Sequence, residues 1–143
     1  MRVYLCGPIF NCTDEECKDW RKFMQEEYQL RRQRRQTFIN AKFIDPMRRD
    51  YRGIESESYL DIVELDKVDV GLCDILVVSH SPDKASVGTS METLYAWERS
   101  KYIIVVCPDA PLTPWLKYHS HKRVHTYKDA VTELIRVGKE LNL

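Results

Sequence analysis

Two segments of the chain, DILVVS (Asp74 to Ser79) and YIIVVC (Tyr102 to Cys107), are almost unbroken runs of β-branched and apolar residues. A strand with one face in water alternates apolar with polar side chains, whereas a run that stays apolar belongs to a strand covered on both faces. Covering both faces of a strand requires helices on either side, and helix-length segments do separate these runs. The chain is therefore expected to wind strands and helices alternately around a parallel sheet.

The remaining elements fit that scheme. RVYLC (Arg2 to Cys6) reads as a first strand, stopped by Gly7-Pro8. Thr13 stands three residues before Glu16, the spacing of a capping box. Cys17, Trp20, Phe23, Met24, Tyr28 and Leu30 then recur at helical intervals, so a long amphipathic helix is expected from about Asp14 to Gln36. A second strand is expected over Ala41 to Ile44, ended by Pro46. The spacing of Tyr59, Ile62, Val63 and Val70 predicts a helix capped by Ser56 or Ser58 and ending near Gly71. Another helix opens in SVGTSMETLYAW (Ser86 to Trp97). A short fifth strand, Arg123 to Thr126, and a final amphipathic helix, Tyr127 to Leu141, complete one domain over residues 1–143.

At 143 residues the chain suits a single core that needs no disulfides. Its 22 basic and 22 acidic residues cancel, so no global charge draws it to nucleic acid or to an anionic membrane. RRQRR (Arg31 to Arg35) reads as a solvated helix end, where cations complement the helix dipole, rather than as a nucleic-acid patch. There is no apolar run of membrane-spanning length and no signal peptide, which points to the cytoplasm. The five cysteines contain no CxxC pair and the histidines are not spaced beside them as zinc ligands, so no metal is expected. Cys6, Cys73 and Cys107 lie in or beside apolar runs, where a reduced thiol is an ordinary small core residue.

In a sheet of this kind ligands gather at the carboxyl ends of the strands. Here those are Gly7 to Asn11, Asp45 to Asp50, Ser79 to Thr89 and the loop after Cys107. No GxGxxG and no GxxxxGK[ST] occurs in the chain, so the usual dinucleotide and triphosphate cradles are not indicated. Asp66 follows Tyr59, Ile62 and Val63 at helical spacing, which turns it toward the face those residues would bury, as a bonded core carboxylate or as a group at a pocket edge. Thr89 and Glu92 have capping-box spacing. A carboxylate at a helix N-terminus would be held ionised by the dipole, as a glycosidic nucleophile must be. Spacing alone leaves cap and nucleophile both open.

YLCGPIF, Trp20-Arg21, DPMRRD, VELDKVD, CDILVV and SVGTSMETLYAW, in that order from Val3 to Cys107, resemble the nucleoside 2-deoxyribosyltransferase family, particularly its short phage and bacterial branch. The resemblance implies a flavodoxin-like, Rossmann-like fold of about five parallel strands flanked by helices. It also implies cleavage of the N-glycosidic bond of 2'-deoxynucleosides or their 5'-monophosphates through a deoxyribosyl-glutamate intermediate, with no cofactor. By position, Glu92 matches the nucleophile, Asp66 the acid that assists proton transfer, and Tyr4 an aromatic residue near the sugar. Gly7, Pro8 and Ile9 match a loop lining the site, and Gly88 and Thr89 the turn that presents the nucleophile. The expected partners are a deoxynucleoside or deoxynucleotide and a free nucleobase. A homodimer or higher homo-oligomer is also implied, with residues near the C-terminus, such as Asn142, completing a neighbouring site.

The chain departs from the family pattern at two places. Ser86 stands where many nucleoside-using members carry an acid, six residues before the nucleophile, and related enzymes acting on 5'-monophosphates carry serine there. A hydroxyl donates to a phosphate that a carboxylate would repel, so Ser86, with Asp45 to Asp50 and its arginines Arg48 and Arg49, is a candidate substrate contact. Thr93-Leu94 replaces the Ile-Gly pair that often follows the glutamate. Two readings stand beside transfer to a base: hydrolysis, with water as acceptor, and a nucleotide-binding domain without turnover.

Overall fold

The computed structural model describes residues 1–84, 86–108 and 111–143. These form a five-stranded sheet in the order β2-β1-β3-β4-β5, with every neighbouring pair parallel. The strands are β1 (Arg2–Cys6), β2 (Lys42–Ile44), β3 (Ile75–Ser79), β4 (Tyr102–Val106) and β5 (Lys122–Val124). The helices are α1 (Asp14–Gln33), α2 (Glu55–Leu72), α3 (Val87–Glu98), α4 (Pro114–Tyr118) and α5 (Tyr127–Glu140). This is the doubly wound α/β fold expected from the sequence, with the flavodoxin-like strand order and its reversal point between β1 and β3.

Strand alternation divides the core in two. Val3 and Leu5 of β1, with Ile75, Val77, Ile104 and Val106, pack under Trp20, Met24 and Tyr28 of α1 and Val131, Leu134 and Val137 of α5. Tyr4 and Cys6 point through the opposite face, joining Leu76, Val78, Ile103 and Val105 beneath Val70 of α2 and Ala96 of α3. The near-continuous apolar runs are thus buried on both sides.

Several boundaries differ from expectation. The helix expected to reach Gln36 stops at Gln33, with Arg35 in the left-handed region at φ 57°. Its start is as expected, since Thr13 and Glu16 make a reciprocal capping box. Helix α2 begins at Glu55 with no side-chain cap, so neither Ser56 nor Ser58 has the expected role. The expected apolar seam of α2 is not buried: Tyr59 is 60% and Val63 48% exposed, and within the helix only Asp69 and Val70 are buried. The short α4, capped by Thr113, has no counterpart in the sequence analysis.

Candidate active site

Arg21 of α1 organises the end of β1. Its side chain is completely buried and donates to the carbonyls of Leu5, Gly7 and Cys17. Its Nε lies 3.5 Å from Asp45 Oδ1, and its guanidinium stacks 4.5 Å from the centre of the Trp20 ring. A buried cation is tolerated only with such a set of acceptors. Asp45 in turn accepts from the Met47 amide at 2.8 Å, opening the 3-10 turn Pro46–Arg48. Gly7 is required here by close approach, since a Cβ would lie 2.8 Å from the Trp20 ring and 3.1 Å from Ser79 Cβ. Trp20 and Arg21 thereby tie α1, the end of β1 and the loop after β2 into one unit.

The reversal point at the end of β1 is where Glu92 arrives from α3. Tyr4 Oη donates to Glu92 Oε1 at 2.6 Å, and Cys6 Sγ lies 3.0 Å from Oε2. Residues i and i+2 of one strand thus supply a donor to each oxygen of a single carboxylate. Glu92 borders a cleft of about 180 Å³ whose walls include Gly7, Ile9, Phe10, Arg49, Tyr51, Arg52, Asp66, Ser86, Gly88 and Thr89. Sequence reasoning treated Cys6 as an ordinary core residue and gave no role to Phe10, Tyr51 or Arg52. The signal available for Cys6 was its i, i+2 relation to Tyr4.

Glu92 is not a cap. The N-cap of α3 is Ser86, whose Oγ accepts from the Thr89 amide at 3.2 Å, so Thr89 lies within the first turn and Glu92 beyond it. The dipole acts mainly within that first turn. Burial against Tyr4 and Cys6 therefore dominates and pushes the Glu92 carboxyl up to about 7. The two donors and Arg21 oppose this shift, while nearby Asp66 adds to it. The expectation of a carboxylate held ionised by the dipole is corrected accordingly.

Asp66 reaches the cleft from α2, but not by way of a buried apolar seam. It is half-buried beside Ile62, which also lines the cleft. Burial holds its carboxyl above the ordinary range, against the opposing pull of Arg49, whose Nη2 lies 3.4 Å away. Asp69 takes the stronger contacts, bonding both Arg48 and Arg49 at 2.5 Å. Arg48 is further engaged by the Asp45 carbonyl and does not line the cleft, which presents Arg49 and Arg52 instead. Asp45 likewise stands behind the cleft as the partner of Arg21.

Pro8 lies in the wall of a larger hollow of about 410 Å³ on the other side of the first turn of α3, which Ser86 and Thr89 also line. Thr89 Oγ1 is buried without a hydrogen-bond partner among the described residues. Gly88 borders the cleft with open space at its Cβ position, the nearest atom being Ser86 Oγ at 3.9 Å. Of the strand-end segments marked in the sequence, Ala85 in Ser79 to Thr89 and Asp109 and Ala110 after Cys107 lie outside the described residues. The histidines near the C-terminus are spread apart in role. His119 stacks on Trp115, His121 Nδ1 accepts from the Ile103 amide, and His125 Nδ1 bonds the Pro108 carbonyl.

No protein-family model matches the chain, and no curated protein does. Solved structures do share the fold. A 2-deoxyribosyltransferase from Bacillus psychrosaccharolyticus superimposes with a TM-score of 0.65 at 16% identity, covering 92% of this chain and 90% of that one. The CMP N-glycosidase of Clostridium botulinum gives a TM-score of 0.59 at 16% identity, covering 94% of this chain and 98% of that one. A 2-deoxyribosyltransferase from Leishmania mexicana gives 0.54 at 18% identity, with 83% and 71% covered. At these identities the likeness is one of fold.

Proposed function

We propose that this chain, as one domain, cleaves the N-glycosidic bond of 2'-deoxynucleosides or their 5'-monophosphates and transfers the deoxyribosyl group to another base. The observation that carries this reading is the double hydrogen bond from Tyr4 and Cys6 to Glu92 at the wall of a cleft that also presents Asp66. The fold shared with two 2-deoxyribosyltransferases and a CMP N-glycosidase supports it.

A 2'-deoxyribosyl centre lacks an electron-withdrawing hydroxyl, so an oxocarbenium-like transition state is accessible to a placed carboxylate. An oxygen of ionised Glu92 forms a bond to C1' as the C1'–N bond breaks and its electron pair leaves with the base. In the reactive form the single proton of the Asp66–Glu92 pair sits on Asp66, whose carboxyl burial holds above the ordinary range, and Asp66 gives it to the departing nitrogen. A second base then attacks C1' through a ring nitrogen, expels the carboxylate and gives its N–H proton to Asp66, which restores both groups. No step requires a metal or an organic cofactor.

Ser86 supports a 5'-monophosphate as substrate. Its lone pair caps α3, which leaves its O–H free to donate to an anion at that helix N-terminus. Ile9, Gly88 and Thr89 serve as lining, Pro8 borders the neighbouring hollow, and Arg48 and Asp45 act behind the wall. The cleft is small for a nucleotide, whose pockets usually exceed about 300 Å³. The apolar face of α2, with Leu60 63% exposed, and the exposed Trp115 and Tyr118 of α4 support a homo-oligomer in which a second copy adds the missing wall.

The test is mass spectrometry of protein denatured seconds after mixing with a deoxynucleoside or a deoxynucleoside 5'-monophosphate. A deoxyribosyl or phosphodeoxyribosyl adduct on Glu92 is expected, together with base exchange when a second base is added. Failure to cleave any member of a full panel of both substrate types would sink the proposal.

A further inference from the structure

The Cys6 thiol is completely buried, and burial beside Glu92 holds it protonated well above the ordinary thiol range. Its proton has Glu92 Oε2 at 3.0 Å and the Thr89 carbonyl at 3.7 Å as acceptors, and the Thr93 hydroxyl also faces the sulfur. The carboxylate is much the nearer. The two oxygens of Glu92 are thus held unequally. Oε1 accepts a short bond from a phenol, and such a bond to a charged acceptor is among the strong ones, whereas a thiol is a weak donor.

We propose that Cys6 is a positioning residue for Glu92, holding Oε2 in place through an S–H bond weak enough to be given up as Oε2 attacks. This rests on the reading of Glu92 as nucleophile. On attack the lone pair of Oε2 forms the bond to C1', the C1'–N pair leaves with the base, and Oε1 becomes the ester carbonyl while still accepting from Tyr4. The thiol proton stays on sulfur throughout and turns to the Thr89 carbonyl, so nothing is oxidised or reduced. The stronger donor is thereby placed on the oxygen that remains an acceptor, and the weaker one on the oxygen that reacts.

The groups facing Glu92 are Tyr4 and Cys6 on β1, Asp66 on α2 and Arg21 on α1. Cys6→Ala and Cys6→Ser change only one of these donors. Two quantities are read from each variant: the titration midpoint of the Glu92 carboxyl, by carbon NMR of glutamate-labelled protein assigned with Glu92→Gln, and the single-turnover cleavage rate at a pH just below that midpoint. Cys6→Ala, which removes a donor to the ionised form, should raise the midpoint. Cys6→Ser, a stronger donor, should lower it and yet slow cleavage about tenfold, because Oε2 is tied more firmly in the ground state. A midpoint unchanged in both variants, or a serine variant that cleaves as fast as the parent, overturns the proposal. The titration needs no substrate, so absence of turnover in the parent would count against the glycosyl-transfer reading separately. Thermal unfolding of both variants checks that the fold is kept.

Discussion

At the scale of single residues, the site is governed by a conflict over one carboxylate. Glu92 holds its proton up to about 7, so the folded chain binds that proton more tightly than the unfolded chain, whose glutamate titrates as an ordinary carboxyl. Stability from this group is therefore present in full at acidic pH and is lost as pH rises toward and through 7. Glu92→Gln removes the penalty. It should abolish turnover while raising stability by about 2 kcal/mol at pH 8, allowing for partial screening at the open side of the cleft, and by little at pH 4. Calorimetry at the two pH values measures this, and equal gains at both would contradict it. Turnover of the parent needs one proton on the Asp66–Glu92 pair, so it should fall as pH rises through about 7 and again in acid, where both carboxyls are protonated. Tyr4→Phe removes the strong donor, which stabilises the anion by about 1.5–3 kcal/mol. It should shift the limb near 7 to higher pH, as read from a pH–rate profile.

At the scale of elements, the two glycines beside the cleft make opposite demands. Gly7→Ala drives a Cβ into Trp20 and Ser79 and should destabilise the fold by about 1–3 kcal/mol in denaturant titration. Gly88→Ala meets open space in the first turn of α3, so stability should hold or rise by up to about 1 kcal/mol while kcat/KM falls as the cleft narrows. Arg21→Met would leave three carbonyls and Asp45 without their cation, and should cost about 3–5 kcal/mol. That loss would mark Arg21 as the joint between α1 and the end of β1.

At the scale of the whole molecule, the exposed apolar face of α2 sets the expectation of a second copy. Its exposed face carries Tyr59, Leu60, Val63 and Val68, and Asp66, one turn beyond Ile62 and Val63, stands at the edge of that face toward the cleft. If a second copy covers that face, Leu60→Arg together with Val63→Arg should lower the mass found by sedimentation velocity and reduce kcat/KM, leaving the fold unchanged by circular dichroism. A parent that sediments as a monomer at micromolar concentration would end the oligomer reading.

The sequence by itself determined the alternating α/β fold, because runs apolar at every position can be satisfied only by burial on both faces. It also determined the capping box of α1, a device closed within four residues. Through the family resemblance that its strand-end motifs carry, it also pointed to Glu92, Asp66 and Tyr4 as companions. What only the tertiary structure decided was each environment. The cap of α3 fell to Ser86, the seam of α2 stayed exposed, and Cys6 became a donor to Glu92. T-x-x-E spacing describes neighbours along one helix, whereas the state of Glu92 is set by β1, more than eighty residues earlier in the chain. Helical periodicity likewise states which residues share a face, and only packing against the sheet decides which face is covered.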